Sequence, residues 1–300
     1  MATTTIDPMN NRGGLRRRIS RVLYQRPRLR LALLLGGPLT WLLVAYVGSL
    51  VALLVTSLYH FQSDPTGLVQ RLVTTPSTTN YQRVIDTQVY RTVAFRTIGA
   101  ALAVTVIDLL IALPVAFYMA KIARPWVRRA LVVAVTMPLW AGYLVKGYAW
   151  RAMLDPAGGV LHEVFGRSPG FGLSGTIVTL AYLWLPYMVI PVYSGLERLP
   201  NSLLEASTDL GAKAGRTFVK VVLPQIRPSI VAGSIFTFAL TLGDFYMAQI
   251  VGGTTQFLGN IVYREFSANL PFAAAYATVP VVIMIVYLAA ARSSGALEEL

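Results

Sequence analysis

The sequence predicts an all-α membrane protein with about six transmembrane helices, and three observations carry that expectation. Hydrophobic residues make up 55% of the 300 residues and charged residues only 13%, too little polar surface for a water-soluble globule of this size. The apolar residues gather into runs of about 20, long enough to cross a hydrocarbon layer of roughly 30 Å as helices. The basic residues alternate between rich and poor connections, the pattern that membrane topology imposes on a multi-pass chain.

In chain order the expected spans cover residues 31–59, 93–120, 130–153, 174–196, 228–251 and 273–291. Residues 1–30 form a basic tail with eight arginines, from Arg12 to Arg30, which fixes topology and suits anionic headgroups. The apolar run that follows exceeds the core of a cleavable signal, so the first span is expected to be retained. Residues 31–92 hold that span and a long segment, 62–91, with Pro65, Pro76 and a Ser/Thr cluster; a short surface helix is expected around Tyr81 to Tyr90. Residues 93–291 form the core membrane domain, interrupted by a polar loop at 197–227, and residues 292–300 a short tail.

Eighteen of the 26 Lys and Arg residues fall in the N-terminal tail, the 121–129 connection, the 197–227 loop and Arg292; five (Arg71, Arg83, Arg91, Arg167 and Arg264) fall in the opposite connections. The positive-inside rule therefore places both termini and the polar loop in the cytoplasm, with the loops near 62–91, 154–172 and 252–272 outside. The net charge of +13 follows from this distribution and calls for no nucleic-acid partner.

Several chemistries find no support. There is no cysteine, hence no disulfide framework and no thiolate site. His60 and His162 stand alone, without the second histidine that a helical zinc site needs, and no serine has a matching His and carboxylate arrangement. Neither a metal site nor a catalytic residue is expected. Gly170-Phe171-Gly172-Leu173-Ser174-Gly175 has dinucleotide-binding spacing, but Pro169 precedes it and a span follows, so it reads as a flexible loop. No G-x-x-x-x-G-K-[ST] occurs, and this chain is not expected to bind ATP through a P-loop.

Two carboxylates lie inside expected spans, where an acidic group is costly and faces a cavity or a partner. Asp108 suits an internal hydrogen-bonding or ion-pairing role as well as the pathway. Asp244, in Leu242-Gly243-Asp244-Phe245-Tyr246, lies about 24 Å along the fifth span if that helix is continuous, and Asp108 about 22 Å along the second. Aromatics crowd the same half as Asp244: Trp140, Tyr143, Tyr148 and Trp150, then Tyr182, Trp184 and Tyr187. An interfacial belt explains many of them; together with Asp244 and Tyr246, some suit an ammonium ion, for which rings and a carboxylate replace water.

The polar loop carries the most specific pattern: Glu205-Ala206-Ser207-Thr208-Asp209-Leu210-Gly211, then Val221-Val222-Leu223-Pro224. Its residues suit a short helix, a glycine turn and a proline interruption. The spacing resembles the E-A-A, three variable residues, G, nine variable residues, I-x-L-P signature of the membrane subunits of binding-protein-dependent ABC importers. Ser207 stands where that pattern has Ala, and Val221 where it has Ile.

The resemblance implies a type I importer permease. Glu205, Ala206, Ser207, Asp209, Leu210, Gly211, Leu223 and Pro224 would couple it to a cytoplasmic ATPase. It also implies a second similar permease, two ATPase subunits that hold ATP and Mg, an external binding protein, and the bacterial cytoplasmic membrane; no cofactor is expected in this chain. Met137-Pro138-Leu139-Trp140, Leu185-Pro186-Tyr187-Met188 and Leu242-Gly243-Asp244-Phe245 look like the spermidine/putrescine-type subgroup. Related permeases carry ferric iron, thiamine, phosphonates or amino-acid derivatives on similar scaffolds. An ion-gradient carrier would account for the spans but not for the loop, and a non-transporting scaffold for neither the loop nor the intramembrane acids.

Overall fold

The computed structural model describes residues 27–63 and 70–293; most of the basic tail and residues 294–300 lie outside the described residues. The chain divides into two compact units, Met1–Val55 and Thr56–Leu300. In the first, α1 (Pro27–Leu42) contains Pro38 and passes through a π-helical turn, Leu43–Val47, into α2 (Gly48–Ser57). Leu39, Trp41 and Tyr46 are exposed, as suits a helix apolar on all sides that meets lipid.

The second unit opens with an antiparallel hairpin of β1 (His60–Ser63) and β2 (Gln70–Val73), with His60 opposite Val73. It continues into α3 (Thr79–Asp86), whose Asn80 amide donates to the carbonyls of Ser57 (3.0 Å) and Tyr59 (2.7 Å). Then comes α4 (Gln88–Phe117), extended by a π-helical turn at Tyr118–Ile122. α4, α8 (Leu173–Arg198) and α12 (Arg227–Leu242) pack on one another to form the core, and α15 (Leu270–Ser293) packs on α12.

Small residues and hydroxyls permit this packing, as expected where lipid supplies no hydrophobic drive between helices. A side chain at Gly233 would meet Met188 Sδ at 2.7 Å, so α12 can lie this close to α8 only with glycine there. Thr105 satisfies its hydroxyl on the Ala101 carbonyl and receives the Thr237 hydroxyl across the helix interface at 3.3 Å. Apolar clusters fill either end of the core. One, around Ala112, Met188, Val192, Leu196 and Ile226, lies toward the polar loop; the other, around Val104, Leu180, Met247, Val251 and Phe257, lies away from it.

Among the described residues four helices are long and apolar enough to cross a membrane unbroken: Leu34–Ser57, Gln88–Ile122, Leu173–Arg198 and Leu270–Arg292; two bent pairs bring the number to six if each is one span. Two of the expected spans are corrected, one by the first of these bends and one by a separate break. Residues 130–153 are not one helix: α5 (Pro125–Thr136) ends in the 3-10 turn Met137–Trp140, and α6 (Tyr143–Met153) leaves at 98°. Pro138 and the non-helical Gly142 explain the break. Residues 228–251 likewise divide. α12 stops at Leu242, Gly243 to Phe245 turn the chain, and a separate short helix, α13 (Tyr246–Val251), follows, so the depth assigned to Asp244 along a continuous helix does not hold. The connections also carry helices of their own, α7 (Val160–Phe165) and α14 (Leu258–Ala268).

Candidate functional site

The polar loop folds as its residues dictate. Pro200 and Asn201 open α9 (Asn201–Asp209), and its end is a Schellman turn, in which Ala212 N–H donates to the Ser207 carbonyl (3.1 Å) and Gly211 N–H to that of Thr208 (2.8 Å). Gly211 takes φ +78°, which other residues adopt only with strain. Apart from Gly211 and its chain neighbours, no atom of the described residues lies within 4 Å of the position a Cβ would occupy there, so the glycine serves the turn and leaves its outer side free. Leu210, at 88% exposure, projects beside it, and Glu205, Ala206 and Asp209 are exposed too.

Ser207, which departs from the signature, has a structural use: its hydroxyl bonds that of Thr217 at 2.8 Å, joining α9 to α10 (Ala214–Thr217). A π-helical turn, Phe218–Val222, and the short α11 (Leu223–Gln225), which contains Pro224, lead to a 69° bend into α12. The base of the loop is anchored. Lys121 donates to the Leu199 carbonyl (2.5 Å) and to Asn201 (3.1 Å), while Arg128 caps the Met119 and Ala120 carbonyls and lies 3.8 Å from Glu197.

The second cluster surrounds Asp244, which is 7% exposed. One carboxylate oxygen accepts the Met247 N–H at 2.9 Å, serving the free donors at the start of α13; the other accepts the Tyr143 hydroxyl. The Tyr143 ring stacks on Trp184 at 5.8 Å and meets Tyr246 edge-on at 6.4 Å. Trp184 continues to Tyr187 at 5.9 Å, and Tyr187 to Phe236 at 6.3 Å. The rings thus form a line running from Tyr246 through Tyr143, Trp184 and Tyr187 to Phe236, with the carboxylate beside Tyr143. The indole N–H of Trp184 is buried and has no hydrogen-bond partner among the described residues.

This arrangement gathers Asp244, Tyr246, Tyr143, Trp184 and Tyr187 from the residues singled out by sequence; Trp150 and Tyr182 pair with each other at 5.3 Å instead, Tyr148 lines a neighbouring hollow, and Trp140 and Asp108 lie apart. Trp140 is 89% exposed and makes no ring contact among the described residues; Asp108 is fully buried, and neither carboxylate oxygen has a partner among them. Sequence reasoning missed Phe236 and Arg151. Arg151 donates to the Ile250 carbonyl at the far end of α13 and lies 4.8 Å over the Phe171 ring. No motif marks it, although its place at the end of an aromatic run was visible. The Gly170 to Gly175 loop is structural: Gly172 N–H donates to the Val251 carbonyl at 3.0 Å. Beside the cluster, Leu144, Tyr148, Arg151, Phe245, Tyr246, Gln249 and Tyr263 line a hollow of about 480 Å³.

A helical bundle with bent spans, a compact polar loop and a carboxylate set among rings defines a multi-pass membrane permease. The chain belongs to the family described as binding-protein-dependent transport system inner membrane component, whose model matches residues 93–295. It is 38% identical over 303 residues to the inner membrane ABC transporter permease protein YdcU of Escherichia coli (strain K12), covering 94% of this chain and 95% of that one. It is 35% identical over 206 residues to the spermidine/putrescine transport system permease protein PotB of Haemophilus influenzae, covering 65% and 71%. To E. coli PotB it is 31% identical over 229 residues, covering 71% and 82%.

Two solved structures share the fold. A bacterial ABC transporter for alginate superposes with TM-score 0.65 at 16% identity, over 92% of this chain and 99% of that one. The MetNI methionine ABC transporter does so with TM-score 0.54 at 20% identity, over 67% and 92%. The chain is therefore a permease subunit of an ABC importer and not an enzyme; ATP hydrolysis resides in a separate subunit.

Proposed function

We propose that this permease imports a small organic cation, most economically a polyamine such as spermidine or putrescine, along the line of rings beside Asp244. The observation that carries this reading is the Asp244 carboxylate, held by Tyr143 next to rings whose faces attract ammonium groups. Two relatives named as spermidine/putrescine permeases support it. Polyamines alternate ammonium groups with methylenes, and a row of tyrosine and tryptophan rings serves both. Asp108, buried in the core and without a partner among the described residues, is a second place where a cation would be stabilised.

In this reading the loop from Glu205 to Pro224 docks on the ATPase through Leu210 and the free side of Gly211. Two ATPase subunits hold ATP and Mg, a second permease completes the pathway, and an external binding protein delivers the substrate to a complex in the bacterial cytoplasmic membrane, both termini being cytoplasmic. Closure of the ATPase dimer drives the permease only if the docked loop interacts differently with the two states. Uptake by the reconstituted complex is the test, with spermidine and putrescine set beside thiamine, ferric iron, a phosphonate and an amino-acid derivative. ATP-dependent polyamine uptake supports the assignment; uptake of another solute alone overturns it while leaving the importer in place.

A further inference from the structure

Arg96 is a cation that the transport reading does not use. It lies on α4 two turns in from Gln88 and has no hydrogen bond or ion pair among the described residues. The span Gln88–Ile122 has 35 residues, about 52 Å of helix at about 1.5 Å per residue, against a hydrocarbon layer of about 30 Å. Centred in a bilayer, it would leave that layer at about residue 95 at this end. Arg96 is thus placed at the hydrocarbon boundary, level with lipid headgroups.

The guanidinium borders a hollow of about 360 Å³ with Gln88, Val89, Thr92, Thr254 and Gln256. Amides and hydroxyls face it from two elements, and no carboxylate does. On the adjoining side of α4, Phe95, Leu102, Val106 and Leu110 are 47–72% exposed and run from the hollow into the depth of the span. At this level the guanidinium is within reach of headgroup phosphates, and its fork matches two oxygens of one phosphate.

We propose that this hollow binds the phosphodiester of an anionic phospholipid, with Arg96 gripping the phosphate, Thr92, Thr254 and Gln256 completing its hydrogen bonds, and the acyl chains lying along Phe95 to Leu110. Inorganic phosphate offers the same oxygens without the chains, so the two sources are separable. A zwitterionic headgroup brings its own ammonium toward Arg96 and is disfavoured.

Native mass spectrometry of the complex containing the full-length chain, released from detergent in the presence of phosphatidylglycerol or of phosphatidylcholine with the same acyl chains, tests this. Phosphatidylglycerol should be retained over phosphatidylcholine. R96A should lower its retention about tenfold, the loss of one charge-assisted contact, and R96K should restore part of it, because lysine offers a point charge without the fork. Millimolar inorganic phosphate should not displace the lipid. Gln256→Leu removes one donor from a loop rather than from the span and should cut retention severalfold, which keeps the proposal testable if R96A does not assemble. Equal retention of the two lipids overturns it, as does unchanged retention in R96A or in Q256L. Displacement by inorganic phosphate reassigns the hollow to a soluble anion.

Discussion

Tyr143 and Asp244, 101 residues apart in sequence, share a hydrogen bond in which the phenol donates to the carboxylate. The contact is one of three that bind α6 to α13. Tyr143 holds one end of α13 through Asp244, Arg151 holds the other through the Ile250 carbonyl, and between them Gly147 lets Met247 pack flat against α6. Tyr143, Gly147 and Arg151 recur every four residues and so lie on one face of α6. The two short helices form a single clamped element, made from the halves that two expected spans lose at their breaks.

Tyr143→Phe isolates the clamp at its charged end. It keeps the ring stacked on Trp184 and removes the donor, leaving the Asp244 oxygen that faced it without the phenol hydroxyl. A buried acceptor left without its partner costs about 1–3 kcal/mol. The purified complex should melt earlier, and uptake should fall at unchanged ATPase subunit content. Asp244→Asn retains an oxygen for the Met247 N–H while removing the charge, so it should fold and lose cation uptake. Full polyamine uptake by a normally expressed Asp244→Asn complex would take this residue out of the pathway.

Gly147 tests the middle of the clamp. A Cβ there would lie 2.6 Å from Met247 Cε, the mobile end of a side chain, so Gly147→Ala should be tolerated. Gly147→Leu overfills the interface and should cost about 1–3 kcal/mol. Met247→Ala alone leaves a cavity costing about 2–5 kcal/mol. The double variant G147L/M247A should be more stable than the two single losses predict, and strict additivity in a melting assay would mean that the residues do not share this space.

The sequence carried the apolar runs and the polar loop because both are written locally: hydropathy needs only a window of residues, and the Schellman turn needs only Gly211 and its neighbours. It did not reveal that the chain turns sharply at Pro138, Gly142 and Gly243; these residues sit at breaks that hydropathy alone reads straight through. Nor did it reveal the Asp244 partner, since the Tyr143 bond closes across 101 residues and depends on both corners at once. Ser207 stands where the signature has Ala, and the reason for it, the bond to Thr217, exists only once α9 and α10 are folded against each other.

Topology can be read with single cysteines, because the native chain has none. A cysteine at Thr75, exposed just after β2, should react with an impermeant thiol reagent in intact cells. One at Ser20, in the basic tail, should react only after the membrane is opened. The reverse pattern would turn the orientation over and place the Glu205 to Gly211 loop on the wrong side for an ATPase.

Gly211 separates the loop's fold from its docking. At φ +78° a leucine is strained by about 1–2 kcal/mol, whereas asparagine enters the left-handed region more readily. The position a Cβ would take at Gly211 is open, so both substitutions place their first side-chain carbon without a clash and differ chiefly in backbone strain. Gly211→Leu and Gly211→Asn should both insert in the membrane, with Asn folding the turn nearly as well as Gly. If the glycine is needed for close approach to the ATPase, both should lose coupled uptake and stimulated ATPase activity, because each adds a side chain to the contact. If it serves the turn alone, Asn should restore what Leu loses. Normal assembly, stimulation and uptake in the leucine variant would remove the loop from the coupling path.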